Sequence, residues 1–79
     1  MNDSEETKTT TAGSVEEVLP NSLFRVRIPS ENEGQEGELV LAYLAGKMRL
    51  HHIRVLVGDQ VDMVLDPYGG RARIVRRLT

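Results

Sequence analysis

Alternation of apolar and polar positions organises the middle of the chain. Phe24, Val26 and Ile28 fall on one face of an extended segment and Arg25 and Arg27 on the other, the two-residue period of a strand with one buried face. Pro29 ends it, because proline cannot donate to a ladder. Upstream, Val15, Glu17 and Leu19 alternate while Val18 breaks the phase, which predicts a bulge. Pro20-Asn21-Ser22 supplies the turn between these two strands: proline presets φ and asparagine tolerates the next position. Leu39 to Leu44 is apolar on both faces, with Val40, Ala42 and Leu44 placed inward and Leu41 and Tyr43 outward. Residues 45–50 are helix formers and predict a short helical turn. Gly58-Asp59 starts a fourth strand, in which Val61, Met63 and Leu65 alternate with Gln60, Asp62 and Val64. Asp66-Pro67-Tyr68-Gly69 matches a type I turn. In a fifth strand, residues 72–77, Ala72 and Ile74 point one way and Arg73, Val75 and Arg77 the other.

Five short strands with a helical turn between the third and fourth predict an all-β fold, a five-stranded OB-fold Greek-key barrel. An SH3-like barrel is the rival, and the helical turn favours the OB-fold. Closure also removes the sheet edges that so small a protein would otherwise expose. The expected core is Phe24, Val26, Ala42, Leu44, Val61, Met63 and Ile74.

Composition narrows the picture. At 79 residues the chain is one domain. It has no cysteine, so disulfides and thiolate metal sites are excluded and a reducing, cytoplasmic setting is expected. No apolar run approaches the roughly 20 residues of a membrane span, and the acidic, threonine-rich start has no signal-peptide h-region. Residues 1–12 cannot bury enough apolar surface to fold and are expected to form a flexible acidic tail, with the domain spanning 13–79. The polar, acidic stretch Pro29 to Gly37 reads as a long hairpin loop, also expected to be mobile. The chain's net charge is −2. Without the tail and the four glutamates of segment 31–38, nine basic residues face five acidic ones, a net of +4. Acidity is concentrated in the flexible parts and basicity in the folded part, which is the surface a partner meets.

The positive charge is concentrated in one connection. Lys47, Arg49 and Arg54 fall within eight residues, behind Gly46 and among apolar neighbours. A solvated loop is the ordinary reading; presentation to a phosphate backbone is the functional one. Met48 is either tucked into the core or an exposed apolar contact for RNA. Arg25 and Arg27 point out of the barrel, on the face that OB-folds use as a nucleic-acid platform. Tyr43 on that face and Tyr68 in its turn are placed to stack a base, or else to pack over a barrel end. Two tyrosines and one phenylalanine are too few to stack many single-stranded bases, which favours docking on a preformed RNA shape. His51 and His52 are adjacent and lack a third ligand, so no metal or cofactor site is expected. Asp59, Asp62 and Asp66 have no acid–base or nucleophilic partners, and Gly69-Gly70 lacks the rest of a phosphate loop. No enzymatic activity is expected.

In order along the chain, Gly13-Ser14-Val15, Leu19-Pro20-Asn21, Phe24-Arg25-Val26, Gly46-Lys47-Met48-Arg49, Ile53-Arg54, Gly58-Asp59, Pro67-Tyr68 and Arg73-Ile74-Val75 resemble bacterial translation initiation factor 1, across essentially the whole folded part. The resemblance implies an S1-like OB-fold monomer that binds the small ribosomal subunit at the decoding (A) site. It implies contacts with ribosomal RNA and a neighbouring ribosomal protein, exclusion of tRNA, and cooperation with initiation factors 2 and 3. It implies no catalysis and no membrane. Carried over by motif, the RNA-binding positions are Lys47, Met48, Arg49 and Arg54 in the loop, Arg25 on the second strand, and Tyr68 and Arg73 near the fifth. The chain departs from the family at several points. Segment 29–37 is longer and more acidic than the family hairpin, and the turn at Gly69-Gly70-Arg71 is shorter. Leu50 replaces a common lysine, His52 a common tyrosine, and Tyr43 a common histidine. The cation missing at Leu50 is offset by Arg71, Arg76 and Arg77, and His52 stays among the candidate contacts. Two other readings remain open: a general single-stranded RNA chaperone of the cold-shock type, and a protein-interaction module using the acidic segments.

Overall fold

The computed structural model describes residues 9–32 and 34–79. Five strands, β1 (Thr11–Leu19), β2 (Leu23–Arg27), β3 (Leu39–Leu44), β4 (Gln60–Val64) and β5 (Ala72–Arg77), close into a barrel in the order β1-β2-β3-β5-β4. One short helix, α1 (Gly46–Leu50), lies between β3 and β4. This is the OB-fold expected from the pattern.

β1 is long because it serves two partners. Its first part pairs with β4, from Thr11↔Met63 to Ser14↔Gln60, and its second with β2, from Ser14↔Arg27 to Leu19↔Leu23. The handover is at Ser14, and at the adjacent Gly13 a Cβ would lie 2.7 Å from Val26 Cγ1 and 2.9 Å from the Arg27 carbonyl. Only glycine lets the strands come so close. β1 begins at Thr11, two residues before the boundary read from composition, because Thr11 and Ala12 complete the β4 ladder. Of the rest of the tail, residues 1–8 lie outside the described residues. β1 does carry a bulge, but between Val15 and Glu17 and not at Val18, which pairs in regular register with Phe24; a second, between Asp62 and Met63, was not anticipated.

Asn21 sits at φ 64° and Ser22 at φ 60°, the left-handed turn that Pro20-Asn21-Ser22 suggests. The loop from Pro29 is tied down near its end. Ile28 N–H donates to the Glu38 carbonyl at 2.9 Å, and Arg27 Nη1 donates to the Gly37 carbonyl at 2.9 Å. A Cβ on Gly37 would collide with the Ile28 carbonyl, so this residue is needed for close approach.

The core contains Phe24, Val26, Ala42, Val61, Met63 and Ile74 as expected, and Leu44 packs against it half-buried. Val15, Met48, Val55 and Ala72 complete it. The fourth strand stops at Val64 and Leu65 is exposed, so the alternation there runs one residue too far. Among the described residues no helix is long and apolar enough to cross a membrane.

Candidate nucleic-acid interface

α1 is docked rather than free. The Ala45 N–H donates to the Ile74 carbonyl of β5 at 2.9 Å, and Met48 turns into the barrel with 1 % of its surface exposed. Met48 therefore does not belong among the RNA contacts. On a helix of period 3.6, Ala45 and Met48 share the inward face, and Lys47, Arg49 and Leu50 are left outside. Leu50 is 73 % exposed.

The helix ends in a Schellman motif. Ile53 N–H donates to the Met48 carbonyl at 3.0 Å and His52 N–H to the Arg49 carbonyl at 3.1 Å, with His52 at φ 55°. That is the 6→1 and 5→2 pattern around a left-handed residue. His52 thus has a backbone role as well as its place beside the cations. After it, Val55 returns to the core and leaves Arg54 exposed. Arg77 Nη1 donates to the Arg54 carbonyl at 2.8 Å, which brings the end of β5 against this loop. Lys47, Arg49, Arg54 and Arg77 therefore gather around the α1 end of the barrel.

A second group forms on the outer face. Tyr43 of β3 lies opposite Arg73 of β5, and Arg73 opposite Val64 of β4. Tyr43, Val64, Leu65, Pro67, Arg71 and Arg73 line a shallow hollow of about 240 Å³. Arg73 is half-buried and engaged. Tyr68 stands apart on the β4–β5 turn, 93 % exposed, so its ring does not pack over the barrel end. Its N–H and that of Gly70 donate to the Asp66 carboxylate at 3.1 and 3.0 Å.

Carboxylates decide which cations are available. The five acids outside the tail and loop are all engaged. Glu16 accepts from Arg27 Nε and Nη2 at 3.0 and 3.1 Å. Glu17 pairs with Arg25 at 3.3 Å and Asp62 with Arg76 at 3.0 Å. Asp59 accepts from Leu56 N–H at 2.9 Å, and Asp66 holds its turn. The Arg27 hydrogen bonds keep the Glu16 carboxyl below the usual carboxylate range, and Glu36 also lies 3.6 Å from Arg27. Among the described residues no carboxylate pairs with Lys47, Arg49, Arg54, Arg71 or Arg77. Arg25, a candidate contact, lies on β2 opposite Leu41 and is already compensated. The sequence carried one signal for this sorting: residues 39–58 contain no acid at all.

A closed five-stranded barrel with uncompensated cations at its helix end is the arrangement of a nucleic-acid-binding OB-fold. The family model for translation initiation factor 1A / IF-1 matches residues 1–79. The chain belongs to this family. Among solved structures, it is similar to translation initiation factor 1 from the Wolbachia endosymbiont strain TRS of Brugia malayi. That match has a TM-score of 0.66 and 30 % identity, and covers 90 % of this chain and 78 % of the other. It is also similar to YjeQ from Thermotoga maritima, with a TM-score of 0.68 and 27 % identity. There the match covers 90 % of this chain but spans only 23 % of the other. Membership gives the protein a place in translation initiation. Within the Gly46-Lys47-Met48-Arg49 motif, buried Met48 anchors the turn and Lys47 and Arg49 stay on the surface.

Proposed function

We propose that this initiation factor binds the small ribosomal subunit at the decoding (A) site through ribosomal RNA, blocks tRNA there, and assists initiation factors 2 and 3. The observation that carries the reading is the group Lys47, Arg49, Arg54 and Arg77, cations with no carboxylate partner among the described residues, gathered at one end of a family barrel. Phosphate contacts by such side chains release counterions and give affinity without sequence readout. Arginine adds a planar fork that binds two phosphate oxygens at once. Arg71, Arg73 and Tyr43 extend the proposed surface over the outer face, where the ring would stack one unpaired base. Tyr68 offers a second ring from the turn. The mechanism is occlusion and a bias of RNA conformation, with no covalent step.

Sedimentation of the protein with purified small subunits tests this, with and without initiation factors 2 and 3 and an A-site tRNA. Co-sedimentation that weakens with salt and competes with the tRNA is expected. Equal affinity for unstructured RNA and for subunits would favour the cold-shock type of chaperone instead. Failure to displace tRNA would remove the A site from the proposal.

A further inference from the structure

Beside the first half of β3 the barrel leaves an edge open. β3 pairs with β2 from Leu39 to Tyr43, but with β5 only from Ala42 to Leu44. The turn at Asp66 to Gly70 delivers β5 late, so the lane beside Leu39–Leu41 is empty. It forms a groove of about 540 Å³ lined by Leu39, Leu41, Leu65, Pro67 and Arg71, with Glu38 at its rim.

Register fixes which backbone groups face this groove. Ile28 and Glu38 are a hydrogen-bonded pair, so the bonded pairs along β2 and β3 are Val26 with Val40 and Phe24 with Ala42. In an antiparallel ladder the intervening residues, Leu39 and Leu41, turn their backbone groups away from the partner, here into the groove. The Ala42↔Ala72 bridge to β5 uses the Leu41 carbonyl. The N–H and carbonyl of Leu39 and the N–H of Leu41 have no partner among the described residues.

We propose that this open edge binds a short extended peptide with basic side chains as an added strand. The open groups recur at the two-residue strand repeat of about 6.8 Å, the spacing at which a peptide backbone presents its own donors and acceptors. One face of such a strand meets Leu65 and Pro67. The other meets Glu38, exposed and without an ion pair among the described residues, and Asp66 also lines the groove. Arg71 on the opposite wall confines basic residues to the Glu38 side. A nucleic acid fits less well: the open groups are too far apart for one base edge, and the acidic rim repels phosphate. The groove shares Leu65, Pro67 and Arg71 with the hollow proposed for RNA, so peptide and RNA would meet on this wall.

The test uses the full chain labelled with nitrogen-15 and titrated with a capped alternating Lys-Val heptapeptide. Saturable shifts and slowed exchange are expected at the Leu39 and Leu41 amides, with a Glu-Val heptapeptide binding more weakly. Leu39→Pro removes one open N–H and leaves the β2 ladder intact, so it should weaken the Lys-Val peptide by about fivefold, the worth of one hydrogen bond. Glu38→Gln, which keeps the backbone unchanged, should narrow the preference for Lys-Val over Glu-Val. Unchanged exchange at both amides at millimolar peptide would overturn the proposal. So would equal binding of the two peptides, or protection of these amides by an oligoribonucleotide and not by peptide, which would assign the groove to RNA.

Discussion

The arginines of β2 and the cations around α1 are both basic and both on strands or turns of the same barrel, yet they differ in what lies beside them. Opposite β2 runs β1, and its bulge sets Glu16 and Glu17 against Arg27 and Arg25. Around α1 the chain carries no acid from residue 39 to residue 58, and the next one, Asp59, is spent on the Leu56 N–H. An exposed ion pair contributes only about 0–1 kcal/mol to stability, so the β1–β2 pairs are weak staples. Their larger effect is on recognition, because a phosphate approaching Arg25 or Arg27 meets the carboxylate as well. On the proposed reading, lack of compensation marks the interface and net positive charge does not.

The most severe way to break this contrast is to remove the support of the α1 cations. Met48→Ala should destabilise the protein by about 2–5 kcal/mol, the range for emptying a buried methionine site. Leu50→Ala, two residues on and largely exposed, should stay within about 0.5 kcal/mol. Thermal melts of the two variants decide the matter, and similar losses would mean that Met48 does not anchor the turn.

Next in size is the charge itself. Lys47→Ala with Arg49→Ala should lower affinity for small subunits by roughly tenfold or more, and should flatten the salt dependence by about 1.4–1.8 log units per decade for two lost phosphate contacts. Arg25→Ala should change the slope less than Arg49→Ala does alone. If the double variant binds like the parent, or if Arg25 matters as much as Arg49, compensation is not what sorts the two regions.

A smaller effect separates the backbone role of His52 from its side chain. Its left-handed conformation favours glycine, so His52→Gly should be neutral or slightly stabilising, whereas His52→Val should cost about 1–2 kcal/mol. Denaturant titrations read this. A subunit-binding loss in His52→Gly, at full stability, would assign the imidazole an RNA contact, and unchanged binding would leave His52 its backbone role alone.

The smallest effect lies on the compensated side. Glu16 is held below its ordinary value by the Arg27 hydrogen bonds. A carboxyl with a lowered folded value stabilises above its unfolded value, and that contribution is lost as pH falls through the folded one. The melting temperature of the parent should therefore exceed that of Arg27→Met at neutral pH, with the gap closing as pH falls below about 4.5. High salt should shrink it too. A gap independent of pH would mean that Arg27 acts through packing or through its Gly37 contact alone.

The sequence by itself determined the strands, their inward residues and the barrel, because a two-residue period leaves one face to bury and the turn residues mark where each strand stops. Phe24, Val26, Ala42, Val61, Met63 and Ile74 are core for that reason. It also set apart a basic folded part and an acid-free segment, and its ordered motifs pointed to the family. Tertiary structure decided the rest, because it depends on groups distant in sequence. Met48 looked the same as a contact or as core until α1 docked on β5. Arg25 and Arg27 looked free until the bulge in β1 placed Glu17 and Glu16 beside them. Gly37 looked like a loop residue until its close approach to Ile28 was visible. The open edge at Leu39 and Leu41 exists only because β5 joins β3 three residues late, a fact of pairing register that no local pattern along the chain encodes.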